Sequence, residues 1–316
     1  MNIEKLLPGV KKNILLKKYT TFRIGGPAKY FFEAKKKEDL IKAIYVAKKF
    51  KLPFFILGGG SNLLVSDKGY NGLVINFQFP ISNFQKNKII VGAGTKLGEL
   101  VNASAKKGLT ELEWAVGIPG TVGGAIWGNA GAFKNSMQNV VKEVEVLDSK
   151  TLKIKKFKNK DCKFSYRESI FKKNSNLIIL SVISQLKKGN KKQIKEKMQE
   201  YSNYRKEKQP LNFPSAGSIF KNQKSKIKNK KLLKKYPELK KFYKKGEISA
   251  AWLIEECGLK GKRVGNIKIS EKHANFIVNL DGGKAKDVKK LIKIIKNKVK
   301  NKFGITLEEE IQFLGF

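Results

Sequence analysis

Apolar positions recur along the chain with two spacings, and these assign most of its elements. Leu40, Ile41, Ile44 and Ala47 repeat at helical intervals, which predicts a helix running on from Glu38. The unbroken run Phe54-Phe55-Ile56-Leu57 predicts a buried strand, followed by a glycine-rich loop and a second strand at 73–77. Further strands are predicted at 89–91 and near 144–147 and 177–182, with a helix from about 96 to 106. Later helical stretches at about 190–206 and 230–244 flank a segment holding Pro210 and Pro214. In a last helix Val288, Leu291, Ile292, Ile295 and Val299 share one face and lysines occupy the other. The mixture is α+β, and no internal repeat is evident.

Composition changes this picture in three ways. Of 28 glycines, 15 lie between Gly58 and Gly131, so that stretch is expected to wrap closely around something. The 316 residues suit two or three domains, and no apolar run is long enough to span a membrane. Residues 1–17 lack the apolar core and cleavage site of a leader, so a cytoplasmic protein with no membrane partner is expected. Sixty-seven Lys+Arg against 26 Asp+Glu give a net charge of +41, which first points to nucleic acid. Only Arg23, Arg167, Arg205 and Arg263 are arginines, however, and the lysines are spread over nearly the whole chain. A nucleic-acid surface would cluster them among stacking aromatics, so no specific nucleic-acid partner is expected. Residues 186–245 carry 21 Lys+Arg and 4 Glu, a shift that places a domain boundary after Lys187. Cys162, Cys257 and His273 are too few for a zinc site or a disulfide framework; no metal and two reduced thiols are expected.

Two loops carry candidate binding chemistry. Gly58-Gly59-Gly60-Ser61-Asn62 leaves a buried strand, and successive glycines let backbone N–H groups converge on an anion such as a pyrophosphate; a plain glycine-rich turn is the alternative. Gly117-Ile118-Pro119-Gly120-Thr121-Val122-Gly123-Gly124-Ala125, continuing to Asn129 and Gly131, suits a backbone wrapped round a flat cofactor with polar edges. Gly92-Ala93-Gly94-Thr95-Lys96-Leu97-Gly98 looks like a Rossmann phosphate loop, but its spacing is one residue too long and repeated βαβ units are lacking. It reads as a strand-to-helix turn. No Walker pattern occurs.

Seven segments occur in order. They are Tyr19-Thr20-Thr21-Phe22-Arg23-Ile24-Gly25-Gly26, the two glycine loops, Ser165-Tyr166-Arg167-Glu168-Ser169-Ile170-Phe171, Ser215-Ala216-Gly217-Ser218-Ile219-Phe220-Lys221-Asn222, Ser270-Glu271-Lys272-His273-Ala274-Asn275-Phe276-Ile277-Val278-Asn279, and Leu307-Glu308-Glu309-Glu310-Ile311. From about residue 18 to its end the chain resembles the UDP-N-acetylenolpyruvoylglucosamine reductase (UDP-N-acetylmuramate dehydrogenase) family. The resemblance implies three domains. Residues 1–78, joined by a C-terminal strand at 304–316, and residues 79–188 would form an FAD-binding unit of the vanillyl-alcohol-oxidase type. Residues 189–303 would form an α+β substrate-binding domain with a lysine-rich insertion near 223–248. It also implies FAD, held by Gly58, Gly59, Gly60, Ser61 and Asn62 at the pyrophosphate and by Gly117, Ile118, Pro119, Gly120, Thr121, Gly123, Gly124, Ala125, Asn129 and Gly131 around the rest. Relatives of this fold that attach FAD covalently use a histidine in the N-terminal half, where this chain has none, so the flavin is expected to be non-covalent. NADPH would be the co-substrate, UDP-N-acetylglucosamine enolpyruvate the substrate, peptidoglycan precursor synthesis the setting and a monomer the working form.

Adding hydride to the enol-ether double bond leaves negative charge on the neighbouring carbon and its carboxylate, which calls for a cation, hydrogen-bond donors and a proton. By the family motif Arg167 supplies the catalytic cation, its planar fork suiting a carboxylate; an ordinary salt bridge is the alternative. Ser218 matches the proton donor, a poor acid that needs a buried, hydrogen-bonded position. Glu310 matches the third catalytic residue, although Glu308 would point the same way from a strand, so the choice rests on the motif. Lys221 and Asn222 are expected to bind substrate, with surface solvation as the alternative. His273 reads as a structural hydrogen bonder before a catalyst. The absence of a tyrosine-bearing insertion between Ile170 and Lys187 implies the type II form, and Trp127-Gly128 departs from the family pattern. The insertion has Leu232, Leu233, Tyr236, Leu239, Phe242 and Tyr243 to pack, which favours a helical elaboration over a charged rim. The rival enzyme reading is an FAD oxidase or dehydrogenase of the same fold acting on another substrate.

Overall fold

Phe54–Leu57 lies parallel to Tyr70–Phe77, which lies parallel to Pro27–Ala34. Lys11–Leu15 completes this four-stranded sheet at one edge. Helix Lys37–Lys49 buries Leu40, Ala43, Ile44, Val46 and Ala47, much as the apolar stripe predicts. A second, antiparallel sheet runs in the order Lys153–Lys158, Val141–Asp148, Leu177–Gln185, Lys88–Gly92, Ser82–Gln85. Its apolar residues join those of the first sheet in one core cluster. These elements come from a computed structural model that describes residues 2–78, 82–224, 230–240, 242 and 246–316. Tyr243 and the Leu232 side chain, part of the expected insertion, lie outside the described residues.

The backbone divides into two compact units, one of Met1–Ile14, Pro27–Gly60 and Tyr70–Glu207, the other of Leu15–Gly26, Ser61–Gly69 and Lys208–Phe316. One division between these units falls at 207/208, whereas a domain boundary is expected from the sequence at 188/189. Helix Lys191–Lys208 belongs to the first unit: Ile194 is buried, Met198 and Tyr201 pack on that core, and Tyr201 stacks on Phe133 at 4.1 Å. Its lysines mark a solvated face rather than a new domain.

Within the second unit, Ser215–Ser218, Phe276–Asn279, Ile267–Ile269 and Arg263–Val264 form an antiparallel sheet. Helix Ala285–Phe303 buries its expected stripe. The Asp67 carboxylate accepts from Ala285 N at 2.8 Å and Lys286 N at 3.1 Å, satisfying donors that a helix start leaves open. Gly304 ends the same helix in a left-handed conformation (φ 71°). Gln312–Leu314 runs parallel to Leu63–Val65. The described part of the lysine-rich segment packs: Leu239 is buried, and Tyr236 and Phe242 meet Trp252 at 6.2 and 5.4 Å. Both cysteines are free thiols, and burial pushes Cys162 up to about 12. Among the described residues no helix is long and apolar enough to cross a membrane.

Candidate active site

The strand Phe54–Leu57 delivers its glycines directly onto the second glycine loop. A Cβ on Gly58 would lie 2.6 Å from Thr121 Oγ1, and one on Gly59 2.6 Å from the Gly120 Cα. The two loops thus meet through main chain at positions where any side chain would intervene. Asn76 Nδ2 donates to the carbonyls of Leu57 at 3.0 Å and Gly58 at 3.4 Å, fixing how the first loop leaves its strand. Thr121 caps the short helix Val122–Trp127, its hydroxyl accepting from Gly124 N at 3.3 Å. The turn at 92–98 serves as a shelf for this loop: Gly123 N donates to Ala93 O, Val122 N to Thr95 O, and Leu97 N to Gly120 O, all within 3.0 Å.

Two residues expected around the cofactor also have protein contacts that account for them. A Cβ on Gly131 would lie 2.6 Å from Asn135 O across a tight hairpin. Asn129 is buried, with Nδ2 donating to Ser165 O at 2.8 Å and Oδ1 accepting from Gln138 N at 3.1 Å. It anchors the turn that carries Arg167. In that turn Ser165 and Glu168 exchange main-chain bonds of 3.1 Å, and Arg167 is left-handed at φ 57°. Such a conformation costs an L-residue about 1–2 kcal/mol and persists where its surroundings hold it. Lys172 does so, donating to Arg167 O at 2.9 Å, pairing with Glu168 at 3.3 Å and lying 5.2 Å from the Trp127 ring centre. Ser169 Oγ donates to Trp127 O at 2.7 Å, so the unusual tryptophan is a fixture of the same turn.

In the second unit the register is set by Asn275, whose amide takes both main-chain groups of Phe220: Phe220 N donates to Oδ1 at 3.0 Å, and Nδ2 donates to Phe220 O at 2.8 Å. Phe220 lies opposite Glu309, Glu310 N donates to Ile219 O at 2.8 Å, and Lys221 N donates to Glu308 O at 2.9 Å. This antiparallel bridge puts Glu310 across from Ile219, the residue that follows Ser218 in its segment. Ser218 is half-buried at the end of its strand, less enclosed than a reluctant acid was expected to be. Asn62 Nδ2 donates to Glu310 O at 3.1 Å, while Gln312 N donates to Asn62 O at 2.9 Å. Glu308 pairs with Lys221 at 2.6 Å and Glu309 with Lys296 at 2.9 Å.

The two expected substrate residues are tied into this unit: Lys221 is 7% exposed with its amine on Glu308, and Asn222 Oδ1 accepts from Ala250 N at 3.1 Å. Burial pushes the His273 imidazole down, its ring edge meets Phe276 at 4.8 Å, and the His273 main-chain N donates to Ser270 Oγ at 3.3 Å, all in keeping with a structural part. Sequence reasoning missed Asn76, Lys172 and Asn275 and gave Arg205 no role. Asn275 stood inside a quoted motif. Asn76 had only one signal, a polar residue in an otherwise apolar strand.

Comparison with known proteins extends these observations. Residues 28–154 match the model of an FAD-binding domain, and residues 209–314 that of the UDP-N-acetylenolpyruvoylglucosamine reductase C-terminal domain. A protein of Caldanaerobacter subterraneus subsp. tengcongensis named UDP-N-acetylenolpyruvoylglucosamine reductase is 42% identical over 302 residues, 95% of this chain and 92% of its own. One of the same name from Clostridium novyi is 39% identical over 307 residues, 97% of this chain and 92% of its own. The crystal structure of UDP-N-acetylenolpyruvylglucosamine reductase from Thermus caldophilus aligns with a TM-score of 0.77 at 35% identity, covering 97% of this chain and 99% of that one.

Proposed function

The chain belongs to the UDP-N-acetylenolpyruvoylglucosamine reductase family, and from that premise we propose how its own residues divide the work. The enzyme reduces UDP-N-acetylglucosamine enolpyruvate to UDP-N-acetylmuramate with NADPH through FAD, a step of peptidoglycan precursor synthesis. FAD fits the first unit. Side chains at 58, 59 or 123 would collide with Thr121, Gly120 or Ala93, so the loops meet a ligand with bare main chain. Bound FAD supplies the hydride equivalent taken from NADPH.

Gly58, Gly59, Gly60 and Ser61 hold the diphosphate with main-chain N–H groups, and residues 117–125 line the rest of the cofactor. Arg167 holds the substrate carboxylate and stabilises the negative charge that develops beside it. What supports that role is a strained backbone kept in place by Asn129 and Lys172. Ser218 gives its proton to the carbon that gains charge, and Glu310 assists that transfer. Lys221 and Asn222 bind the substrate's anionic groups, Lys221 by exchanging Glu308 for them. The strand register that binds the Glu310 segment to the Ser218 segment, with Glu310 opposite Ile219, is the observation that carries this reading. We further infer a cytoplasmic monomer without a membrane partner, and, because the excess charge is diffuse lysine, without a specific nucleic-acid partner.

The test is the visible spectrum of the purified protein, together with NADPH oxidation in the presence and absence of the enolpyruvyl sugar nucleotide. A flavin spectrum and oxidation stimulated by that substrate are expected. A colourless protein that takes up no FAD, or oxidation indifferent to the sugar nucleotide, would sink the reading.

A further inference from the structure

We propose that Arg205 is the counter-cation for an anionic oxygen of the flavin cofactor bound against the start of the second glycine loop. The proposal rests on the reading of residues 117–125 as a cofactor loop. Arg205 stands on helix Lys191–Lys208 and is 8% exposed. Its Nη2 donates to Trp114 O at 3.1 Å, its guanidinium lies 5.5 Å from the Phe133 ring centre, and its Nε has no hydrogen-bond partner among the described residues. No carboxylate pairs with it among the described residues; the neighbouring group it feels is the Tyr204 phenol, and burial pushes its pKa down.

A guanidinium taken out of water is costly unless an anion and well-placed acceptors compensate it. One carbonyl and one aromatic face compensate only part of that cost. The position shows where an anion would come from. The arginine shaft runs along Gly117: a Cβ there would lie 3.2 Å from Arg205 Cδ, and Gly117 is left-handed at φ 75°. The helix thus lays a buried cation against the first residue of the loop that meets the cofactor with bare main chain. Residue type points the same way. This chain supplies lysine almost everywhere a charge is wanted, so an arginine here marks a need for a planar set of donors.

Two cofactor groups offer such an oxygen, the diphosphate and the pyrimidine edge of the flavin ring, and the experiment separates them. Arg205→Met and Arg205→Lys are prepared as apoproteins beside the wild type and titrated with FAD and with riboflavin, which lacks phosphate. The FAD-induced rise in melting temperature is recorded for each against its own apoprotein. The methionine variant is expected to bind FAD about 10- to 100-fold more weakly, as loss of a charged hydrogen bond implies. Its FAD-induced rise should shrink while the apoprotein melts no lower than wild type, and the lysine variant should fall between. An equal loss with riboflavin assigns the ring edge; a loss with FAD alone assigns the diphosphate. A methionine variant whose affinity and FAD-induced rise match wild type overturns the proposal, whatever its apoprotein stability. A wild type that shows no FAD-induced rise instead overturns the cofactor reading on which it rests.

Discussion

The first unit builds its glycine loops from close backbone approaches, the second holds its strands with side-chain clamps, and two glycines make the contrast plain. At Gly59 an added methyl would sit 2.6 Å from the Gly120 Cα, so one loop would have to leave the other. At Gly217, beside the proposed proton donor, an added methyl meets nothing within 4 Å, and the need for glycine is its φ of 75° alone. Steric exclusion shapes a surface for a large ligand that must lie against main chain. Clamps suit the other task, since a proton donor and a carboxylate must be held at a set separation while remaining able to touch a substrate. Asn275 on Phe220 and Asn62 on Glu310 do that without occupying the reacting groups.

The largest expected effect separates the two chemically. Ser218→Ala should leave flavin reduction by NADPH intact and slow the half-reaction with the sugar nucleotide about 10²- to 10⁴-fold, the usual worth of a positioned proton donor. Stopped-flow measurement of the two half-reactions reads this directly. If both remain intact, the assigned role is wrong.

Next in size is Gly59→Ala, set against Gly217→Ala. Overpacking at position 59 should cost about 1–3 kcal/mol in stability and weaken FAD binding along with it. The change at 217 should cost about 1–2 kcal/mol, the left-handed penalty, with FAD affinity unchanged. Denaturant melts and FAD titrations of both variants check the pair, and equal losses of FAD affinity would erase the contrast between the units. A smaller effect is expected for Asn62→Ala. The motif gives this residue to the cofactor, whereas its amide is bonded to the Glu310 carbonyl. Losing one such hydrogen bond is worth about 1 kcal/mol. The half-reaction with the sugar nucleotide should therefore slow about fivefold, with FAD affinity nearly constant; a loss of FAD affinity alone would return Asn62 to the cofactor.

The contrast also explains what could be read in the sequence. Glycine reports its own reason for being there, so the loops at 58–62 and 117–125 stood out before their mutual contact was known. The stripe of helix Ala285–Phe303 was legible because buried and solvated faces differ sharply in composition. Helix Lys191–Lys208 was predicted, but not what it packs on: its lysines dominate the composition, and the sparse face of Ile194, Met198, Tyr201 and Arg205 carries the packing. The clamps were not legible at all. Asn62 and Glu310 lie 248 residues apart and Asn275 and Phe220 lie 55 apart, and no local pattern encodes such partnerships.

The smallest effect concerns His273, which places a pH dependence in the second unit that the first, having no histidine, does not share. Its Nδ1 is buried without a hydrogen-bond partner among the described residues, and burial, with a smaller contribution from Lys260, pushes the imidazole below its ordinary value, against a backbone hydrogen bond and Glu255. The unfolded chain takes up its proton near pH 6.5 and the folded chain only at lower pH. Between those values the unfolded state binds more protons, so stability should fall as pH drops from about 6.5 through the folded value. Trp252 is the tryptophan of the second unit, while Trp114 and Trp127 belong to the first, so a variant keeping Trp252 alone reports locally. Urea melts of that variant at pH 7.5 and 5.5, with and without His273→Gln, should show a loss of stability in acid that the glutamine partly removes. An identical acid loss with glutamine at 273 would mean that the imidazole titrates alike in both states, and the acid sensitivity would then belong to the carboxylates paired with lysine in this unit.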